Sequence, residues 1–251
     1  MIKRLLIFAM SAIALTASAE SGVPFFDTSR PDKAITFGLR AGMNSSGVAT
    51  NYMTLQPELI QNNFYWHSGV QTGVVADVNM RKFLALEVGF FYERHGYNAA
   101  MMAATAEEDY MGSQFTRVRY SIFNVPIMLS WRFNILAQAY WSVDVGAYLS
   151  YGIGGNKTTD SYIAFGEDEG QLVFDHNIDK QKYFNADPKD FLAVNRFDTG
   201  IRLGTGLTFF NHYTIGVYYQ RSVKNNAKNY EGGADYKLRN CSWSVNLGYN
   251  F

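Results

Sequence analysis

The chain has 251 residues and equal numbers of basic and acidic residues, 22 of each, so its formal net charge is zero. This balance excludes a typical nucleic-acid-binding protein, which carries a basic excess. Aromatic residues make up 16% of the chain, so it can bury a large apolar surface and is not disordered. A mean hydropathy of −0.15 excludes a polytopic helical membrane protein. The single cysteine, Cys241, excludes an internal disulfide and a cysteine-rich metal site.

Residues 1–19 have the pattern of a secretory signal peptide. Lys3 and Arg4 provide a positive start, an apolar run follows, and small residues then form a cleavage site. The apolar run is too short for a permanent membrane helix. We therefore expect an exported protein with a short periplasmic segment, residues 20–33, followed by one domain over residues 34–251.

Apolar and polar residues alternate along eight later segments, which is the pattern of β-strands. Most segments reach the roughly 9–11 residues that a tilted membrane strand needs. The predicted strands are 34–43, 68–80, 83–94, 117–133, 139–154, 196–210, 213–221 and 241–251. Pro126 interrupts the fourth strand because proline cannot donate a ladder hydrogen bond, and a bulge near Phe123-Asn124 would accommodate it.

The two faces of these strands differ in chemistry. In the fifth strand Val143, Val145 and Ala147 alternate with Asp144 and Gly146. One face is apolar, and the other carries glycine, small polar residues and isolated charges, as in the polar interior of a membrane barrel. Such a narrow interior favours paired charges that fill it, because an unpaired charge is costly there. The charges assigned to this structural network are Arg40, Asp77, Glu87, Arg132, Asp144, Asp198 and Arg202.

Aromatic residues and connection lengths also favour a membrane barrel. Two aromatic groups flank the strands like the girdles at the two membrane interfaces. One group is Phe83, Trp131, Phe133, Tyr140, Trp141, Phe209, Phe210, Tyr213, Tyr249 and Phe251, and the other is Tyr92, Tyr120, Tyr151 and Tyr219. Short turns alternate with long connections at 44–67, 95–116, 155–195 and 222–240. The sequence predicts an all-β fold, an eight-stranded antiparallel up-and-down transmembrane β-barrel in the outer membrane with four external loops.

Four stretches of the sequence carry a family resemblance. They are 37–44, 86–92, 123–129 with its internal proline, and the terminal strand 244–251 with its final aromatic residue. Together they resemble the PorT-like outer-membrane β-barrel family of Bacteroidota. The resemblance implies a barrel whose last strand, ending at Phe251, is recognised by the barrel-assembly machinery. It implies no single activity, although the founding member serves protein secretion.

No catalytic or metal-binding motif is readable in the sequence. His95, predicted to lie in the second long connection, could join a carboxylate and a serine in a lipid-modifying enzyme, but no such triad is recognisable. The stretch Asp175-x-Asn177-x-Asp179 begins like a calcium loop, but Lys180 occupies the position that requires glycine. We therefore expect no cofactor, no metal and no enzymatic activity.

The function that the sequence favours is that of a non-enzymatic outer-membrane barrel with a structural or accessory role, protein secretion being one such role. A small-solute channel is the alternative, and a lipid-modifying enzyme is less favoured. The expected partners are outer-membrane lipid, the barrel-assembly machinery, and a secretion-system or surface partner. No nucleic-acid partner is expected, and the protein is expected to be a monomer.

Overall fold

The computed structural model describes residues 23–51, 59–105, 110–167, 171–185, 192–228 and 236–251. The signal peptide expected at residues 1–19 lies outside these ranges. Within them, no helix is both long enough and apolar enough to cross a membrane. The one helical element in these ranges is a single 3₁₀ turn, Tyr183–Asn185.

Nine β-strands form the described structure. They are β1 (Ile35–Thr50), β2 (Leu59–Arg81), β3 (Leu84–Thr105), β4 (Tyr110–Leu136), β5 (Ala139–Glu167), β6 (Gln171–Lys182), β7 (Phe197–Phe209), β8 (Tyr213–Ser222) and β9 (Leu238–Asn250). Eight of them close into a ring in the order β1-β2-β3-β4-β5-β7-β8-β9, in which β9 pairs with β1. Every neighbouring pair is antiparallel. The predicted eight-stranded antiparallel ring is confirmed.

The ninth strand, β6, is a feature that the sequence pattern did not predict. It pairs with the outer part of β5 and lies outside the ring. In its described part, the third predicted connection, 155–195, therefore consists largely of two paired antiparallel strands rather than a loop. Outside the membrane, apolar and polar residues need not alternate strictly along a strand. The sequence of these paired strands therefore lacks the pattern that predicts a strand.

Four strands of the ring are much longer than a membrane strand requires. β2, β3, β4 and β5 have 23, 22, 27 and 29 residues, whereas β7, β8 and β9 have 13, 10 and 13. The first two predicted long connections, 44–67 and 95–116, are therefore mostly strand in their described parts. A tilted membrane strand needs only about 9–11 residues, so this side of the ring projects well beyond a bilayer.

The ring has two unlike ends. We call one end the turn end. It carries the short connections β2–β3, β4–β5 and β7–β8 and the C-terminus. The opposite end is called the loop end. At the turn end the N–H of His212 donates to the carbonyl of Phe209 (3.0 Å). The two central residues of this turn, Phe210 and Asn211, have positive φ, so the turn is shifted by one residue from the predicted Asn211-His212.

The outer face of the ring is apolar and the inner face is polar. In β5, Val145, Ala147 and Leu149 are exposed, whereas Asp144 and Tyr148, which alternate with them, are buried. The same alternation holds along β1, β3 and β9. A row of exposed apolar side chains around a closed ring is the surface that acyl chains cover in a membrane barrel.

Pro126 needs no bulge in its own strand, contrary to the prediction at Phe123-Asn124. Buried side chains alternate without interruption from Thr116 to Ser130 in β4. The β3–β4 ladder instead has a gap at the proline. This gap removes the need for the hydrogen bond that proline cannot donate.

The irregularity lies on the neighbouring strand. Two consecutive residues of β4 pair with Gly152 and Gly154 of β5, which leaves Ile153 as an extra residue. Toward the turn end, even-numbered side chains of β5 such as Ser150 are buried, and beyond the bulge odd-numbered ones such as Lys157 are buried. One inserted residue therefore reverses the faces of β5, as a β-bulge does.

Most of the predicted girdle residues lie on the outer face, but two do not. Tyr120 is buried in the interior, and Tyr140 packs against the guanidinium of Arg132, with 5.3 Å between the Arg132 Cζ and the ring centroid. Each is an even number of residues from inward-facing residues of its own strand, so it faces inward as well. The prediction overlooked this periodicity. Tyr92 and Tyr151 are exposed, as expected of an interfacial belt.

The segment preceding β1, described from residue 23, packs against the turn end. Phe26 contacts Phe83, with 4.2 Å between the ring centroids, and the carbonyl of Ser29 accepts a hydrogen bond from the N–H of Lys82 (3.2 Å). Within the segment, hydrogen bonds from Ser29 hold the pKa of Asp27 below its usual value. This part of the expected periplasmic segment, 20–33, is thus tied to the ring.

The outward position of Val145 yields a stability prediction. The substitution Val145→Lys would place a charge against acyl chains, so we expect the free energy of unfolding in bilayers to fall by about 2–4 kcal/mol. Urea titration of the protein refolded into vesicles measures this change.

The matched control is Ile178→Lys on β6. Ile178 is also exposed and apolar, but it lies outside the ring. We expect a change within about 0.5 kcal/mol for this variant. Equal losses in the two variants would contradict the assignment of the outer face to lipid.

Candidate functional site: the filled interior and the projecting sheet

The interior near the turn end contains two ion pairs. The guanidinium of Arg132 donates to the Asp77 carboxylate (2.6 Å) and to Asn79 Oδ1 (2.7 Å). The Arg40 guanidinium lies 4.0 Å from the Glu87 carboxylate. These side chains come from β1, β2, β3 and β4, four consecutive strands of the ring, so this layer lines one side of the interior.

A second polar layer fills the middle of the ring. His95 Nε2 lies 2.7 Å from the Glu93 carboxylate, which also accepts a hydrogen bond from the Asn124 amide (2.9 Å). The same amide donates to Gln220 Oε1 (3.0 Å), and Arg202 donates to that oxygen too (2.9 Å). Arg202 Nη1 also lies 3.7 Å from the Glu93 carboxylate. This layer joins β3, β4, β7 and β8 across the interior.

Aromatic rings enclose the Arg202 guanidinium. Its Cζ lies 4.7 Å from the ring centroid of Tyr218 and 5.7 Å from that of Phe91. The Tyr218 ring lies against Gly204 and Gly216, where an added Cβ would come within 2.1 and 2.7 Å of it. Glycine is required at these positions because the ring has no other room, and the space around the charge is thereby filled.

A third layer is centred on Asp198. Its carboxylate accepts hydrogen bonds from Ser222 (2.6 Å), the Asn240 amide (2.9 Å) and Tyr148 (3.3 Å). Hydroxyl and amide donors rather than an arginine therefore bind this acid in the described structure, all three at Oδ2, while Oδ1 is buried without a hydrogen bond. Good donors can stabilise a buried carboxylate without a counter-ion.

An apolar cap closes the interior on the loop-end side. The 3₁₀ turn after β6 inserts two buried aromatic residues, Tyr183 and Phe184, against Tyr120. Tyr97 Oη lies 3.2 Å from Tyr183 Oη. Further buried members of the cap are Val48, Val118, Leu192, Val194, Tyr236 and Leu238.

Little space remains between these layers. One small cavity below the cap, bordered by Tyr148, Phe184 and Asp198, has a volume of about 20 Å³, room for about one water molecule. A larger space of about 350 Å³ opens at the turn end between Arg132, Tyr140 and the segment before β1. The described residues thus form a mouth at the turn end and a filled interior above it.

The structure places all seven predicted lumen charges in the interior but does not join them into one set. Arg132 pairs with Asp77 and Arg40 with Glu87, whereas Asp198 and Arg202 belong to separate layers. Asp144, also buried, lies next to Ser142, whose hydroxyl donates to it (3.3 Å).

Two central residues were absent from the predicted set. Glu93 is 1% exposed and His95 is 5% exposed, and both lie in β3. The prediction that placed His95 in the second long connection is therefore wrong. A usable signal was present: residues two apart in a strand share a face, so Glu93 and His95 lie side by side on the polar face.

The outer parts of β4, β5 and β6 form a sheet that projects from the loop end. We call it the projecting sheet. Its exposed side chains include Phe174, which is 77% exposed, together with Tyr162, Ile178 and Met111. Tyr162 stacks on His176 (4.3 Å between centroids), and His176 Nε2 lies 2.6 Å from the Asp160 carboxylate. In the described chain, β6 pairs on one edge alone.

No group of three or more His, Cys, Asp or Glu side chains among the described residues lies close enough together to hold a metal ion. The side chains that converge in the interior are those of the layers above. Chemically, these layers offer hydrogen bonding and ion pairing in a space without room for a small-molecule substrate.

The family of the chain follows from a comparison with protein-family models. The model of the outer membrane protein beta-barrel domain matches residues 25–228. The chain belongs to this family. The predicted outer-membrane location is thereby confirmed, and the turn end of such a barrel faces the periplasm. The family is the general one and does not single out the PorT-like group; no curated protein matches the chain.

Several solved barrels are similar to this chain in fold. Ail of Yersinia pestis, solved in complex with the heparin analogue sucrose octasulfate, is 13% identical, with 87% of this chain and 100% of Ail covered and a TM-score of 0.36. OprG from Pseudomonas aeruginosa is 11% identical, with 90% and 99% covered and a TM-score of 0.37. Neisserial surface protein A is 11% identical, with 87% and 100% covered and a TM-score of 0.32.

The middle layer yields a second stability prediction. Glu93→Ala would leave Arg202 and His95 buried without their shared carboxylate, so we expect the free energy of unfolding to fall by about 3–5 kcal/mol. Urea titration in detergent micelles, followed by heat-dependent gel migration, measures the loss. As a control, Asp32→Ala removes the exposed partner of Lys82 (3.5 Å) and should cost at most about 1 kcal/mol. A smaller loss for Glu93→Ala than for Asp32→Ala would contradict the burial of this layer.

Proposed function

We propose that this protein is a non-enzymatic outer-membrane barrel that holds the projecting sheet outside the cell for contact with a partner protein. Its role is structural or accessory, and the resemblance to the PorT-like family makes protein secretion the process to examine first. The barrel supplies the anchor and the sheet supplies the contact surface.

The projecting sheet is the observation that carries this proposal. Strands of 27 and 29 residues continue far beyond the membrane and add β6 as a further strand. Its outer face exposes Phe174 and Ile178, and one edge of β6 has no neighbouring strand in the described chain. Exposed apolar side chains and an open edge are the features by which sheets recruit an extended segment of a partner.

An enzymatic role has less support, because the candidate residues face inward. His95 and Glu93 bond to each other in the middle layer and are nearly inaccessible. A lipid-modifying enzyme needs its acid–base pair within reach of a lipid substrate. We therefore treat the pair as part of the packing of the interior.

A channel role has less support as well, because three polar layers and the aromatic cap fill the ring. An eight-stranded ring has an interior just wide enough for side chains. We expect no steady conductance from the purified protein in planar bilayers. Recordings from the wild type, compared with a variant in which Tyr183→Ala and Phe184→Ala remove the cap, test this expectation. Stable ion flow through the wild type would revive the channel hypothesis.

Assembly is proposed to depend on the last strand. The N–H of Phe251 donates to the Phe37 carbonyl (2.9 Å), so the C-terminal residue helps to close the ring. We propose that the barrel-assembly machinery recognises this strand. Both edges of the ring are paired within one chain, which supports a monomer in outer-membrane lipid.

Site-specific crosslinking tests the contact surface. A photo-crosslinking residue at Phe174 should give a discrete protein adduct in cells, because this side chain is exposed on the proposed surface. The control position is Val223, which is apolar and 61% exposed, directly follows β8 and lies outside the projecting sheet. Equal adducts at the two positions, or none at Phe174, would contradict the proposal.

A complementation experiment tests the accessory role. In a deletion strain, the double variant Phe174→Ser and Ile178→Ser should reach the outer membrane but fail to restore the pattern of exported proteins. The wild type and a Val223→Ser variant should restore it. Full restoration by the double variant would argue against a role for the sheet in secretion.

A further inference from the structure

A groove with a basic lining crosses β2, β3, β4 and β5 near the loop end. Its volume is about 490 Å³, and its lining includes His67, Arg94, Arg119, Ser121, Gly154 and Asn156. None of its lining residues is a carboxylate. The groove is thus a positively charged depression in the wall of the barrel.

The two arginines of the groove face outward. Arg94 is exposed and lies between Glu93 and His95, which are buried in the interior. Arg119 is likewise the neighbour of a buried residue on each side. Adjacent side chains of a strand point to opposite faces, so these arginines lie on the side of the wall that meets lipid.

The groove is shaped by a glycine. A Cβ added at Gly96 would come within 2.9 Å of His67 Cδ2 and 3.0 Å of Arg119 Cδ. The Arg119 guanidinium donates from Nη1 to the carbonyls of Val118 (2.7 Å) and Tyr97 (3.1 Å) and from Nη2 to Asn98 Oδ1 (3.0 Å), which leaves one Nη2 hydrogen and Nε for a ligand. It is therefore oriented without a carboxylate, and its charge is not neutralised by any ion pair among the described residues.

The height of the groove matches the outer membrane interface. Tyr92 and Phe123 belong to the outward aromatic surface at the loop-end side of the apolar belt. Arg94 follows Tyr92 by two residues, and Arg119 lies four residues from Phe123, which corresponds to about 7 and 13 Å along the strands. Aromatic residues mark the boundary of the hydrocarbon, so the arginines lie at the depth of lipid headgroups.

We propose that this groove binds the phosphate group of an anionic lipid in the outer leaflet. The planar guanidinium groups of Arg94 and Arg119 have the donor geometry that phosphate requires, and the headgroup depth places the phosphate between them. The acyl chains then extend along Tyr92 and Phe123. The site is independent of the projecting sheet and of its partner.

Native mass spectrometry of the full chain tests the site. The protein is transferred into micelles that contain either lipid A with two phosphates or the same lipid after dephosphorylation. We expect one retained lipid molecule with the phosphorylated probe, and at least about tenfold lower occupancy for Arg94→Gln. The Arg94 side chain makes no hydrogen bond or ion pair among the described residues, so this variant should fold normally. Heat-dependent gel migration verifies the folding.

The control is Arg221→Gln. Arg221 is also exposed and lies two residues beyond Tyr219, on the far side of the ring and outside the groove. We expect it to retain lipid like the wild type. Equal loss in both variants, or equal retention of the dephosphorylated lipid, would overturn the proposal. Displacement by millimolar inorganic phosphate would instead assign the groove to free anions and overturn the assignment to a lipid.

Discussion

Closure of the backbone hydrogen-bond ladder is the constraint on which this structure depends. Inside hydrocarbon every peptide N–H and C=O must find a partner within the protein, and an open sheet leaves two edges unpaired. The pairing of β9 with β1 removes both edges. Where the wall leaves the membrane this demand ends, and β6 accordingly has an edge without a neighbouring strand in the described chain.

A closed ring of eight strands creates a second demand, because its interior must be filled. Charged side chains are costly there unless each meets a partner. The chain meets this demand in separate layers: ion pairs near the periplasm, a mixed layer around Glu93 and Arg202, and an acid held by hydroxyl and amide donors at Asp198. The side chains of each layer come from different strands and bond to one another. The contacts that fill the interior therefore also stabilise the closed ring.

The sequence was informative where the membrane imposes a strict alternation. Val145 and Asp144 could be assigned to opposite faces because the pleat fixes a period of two and the bilayer admits only apolar side chains on one side. Beyond the bilayer neither face must be apolar, so the continuation of β3 with His95 was interpreted as a loop. The partners of each charge were not predictable either, since they depend on the stagger between strands, which the pattern within one strand does not contain.

The extra residue Ile153 divides the wall into two sections whose orientations are set separately. Because side chains alternate with a period of two, an insertion or deletion at this point reverses the faces of β5 beyond it and leaves the membrane section unchanged. Insertion or deletion of one codon can therefore exchange the two surfaces of the external part of the strand. Such a barrel can vary what it displays to its surroundings without losing its anchorage.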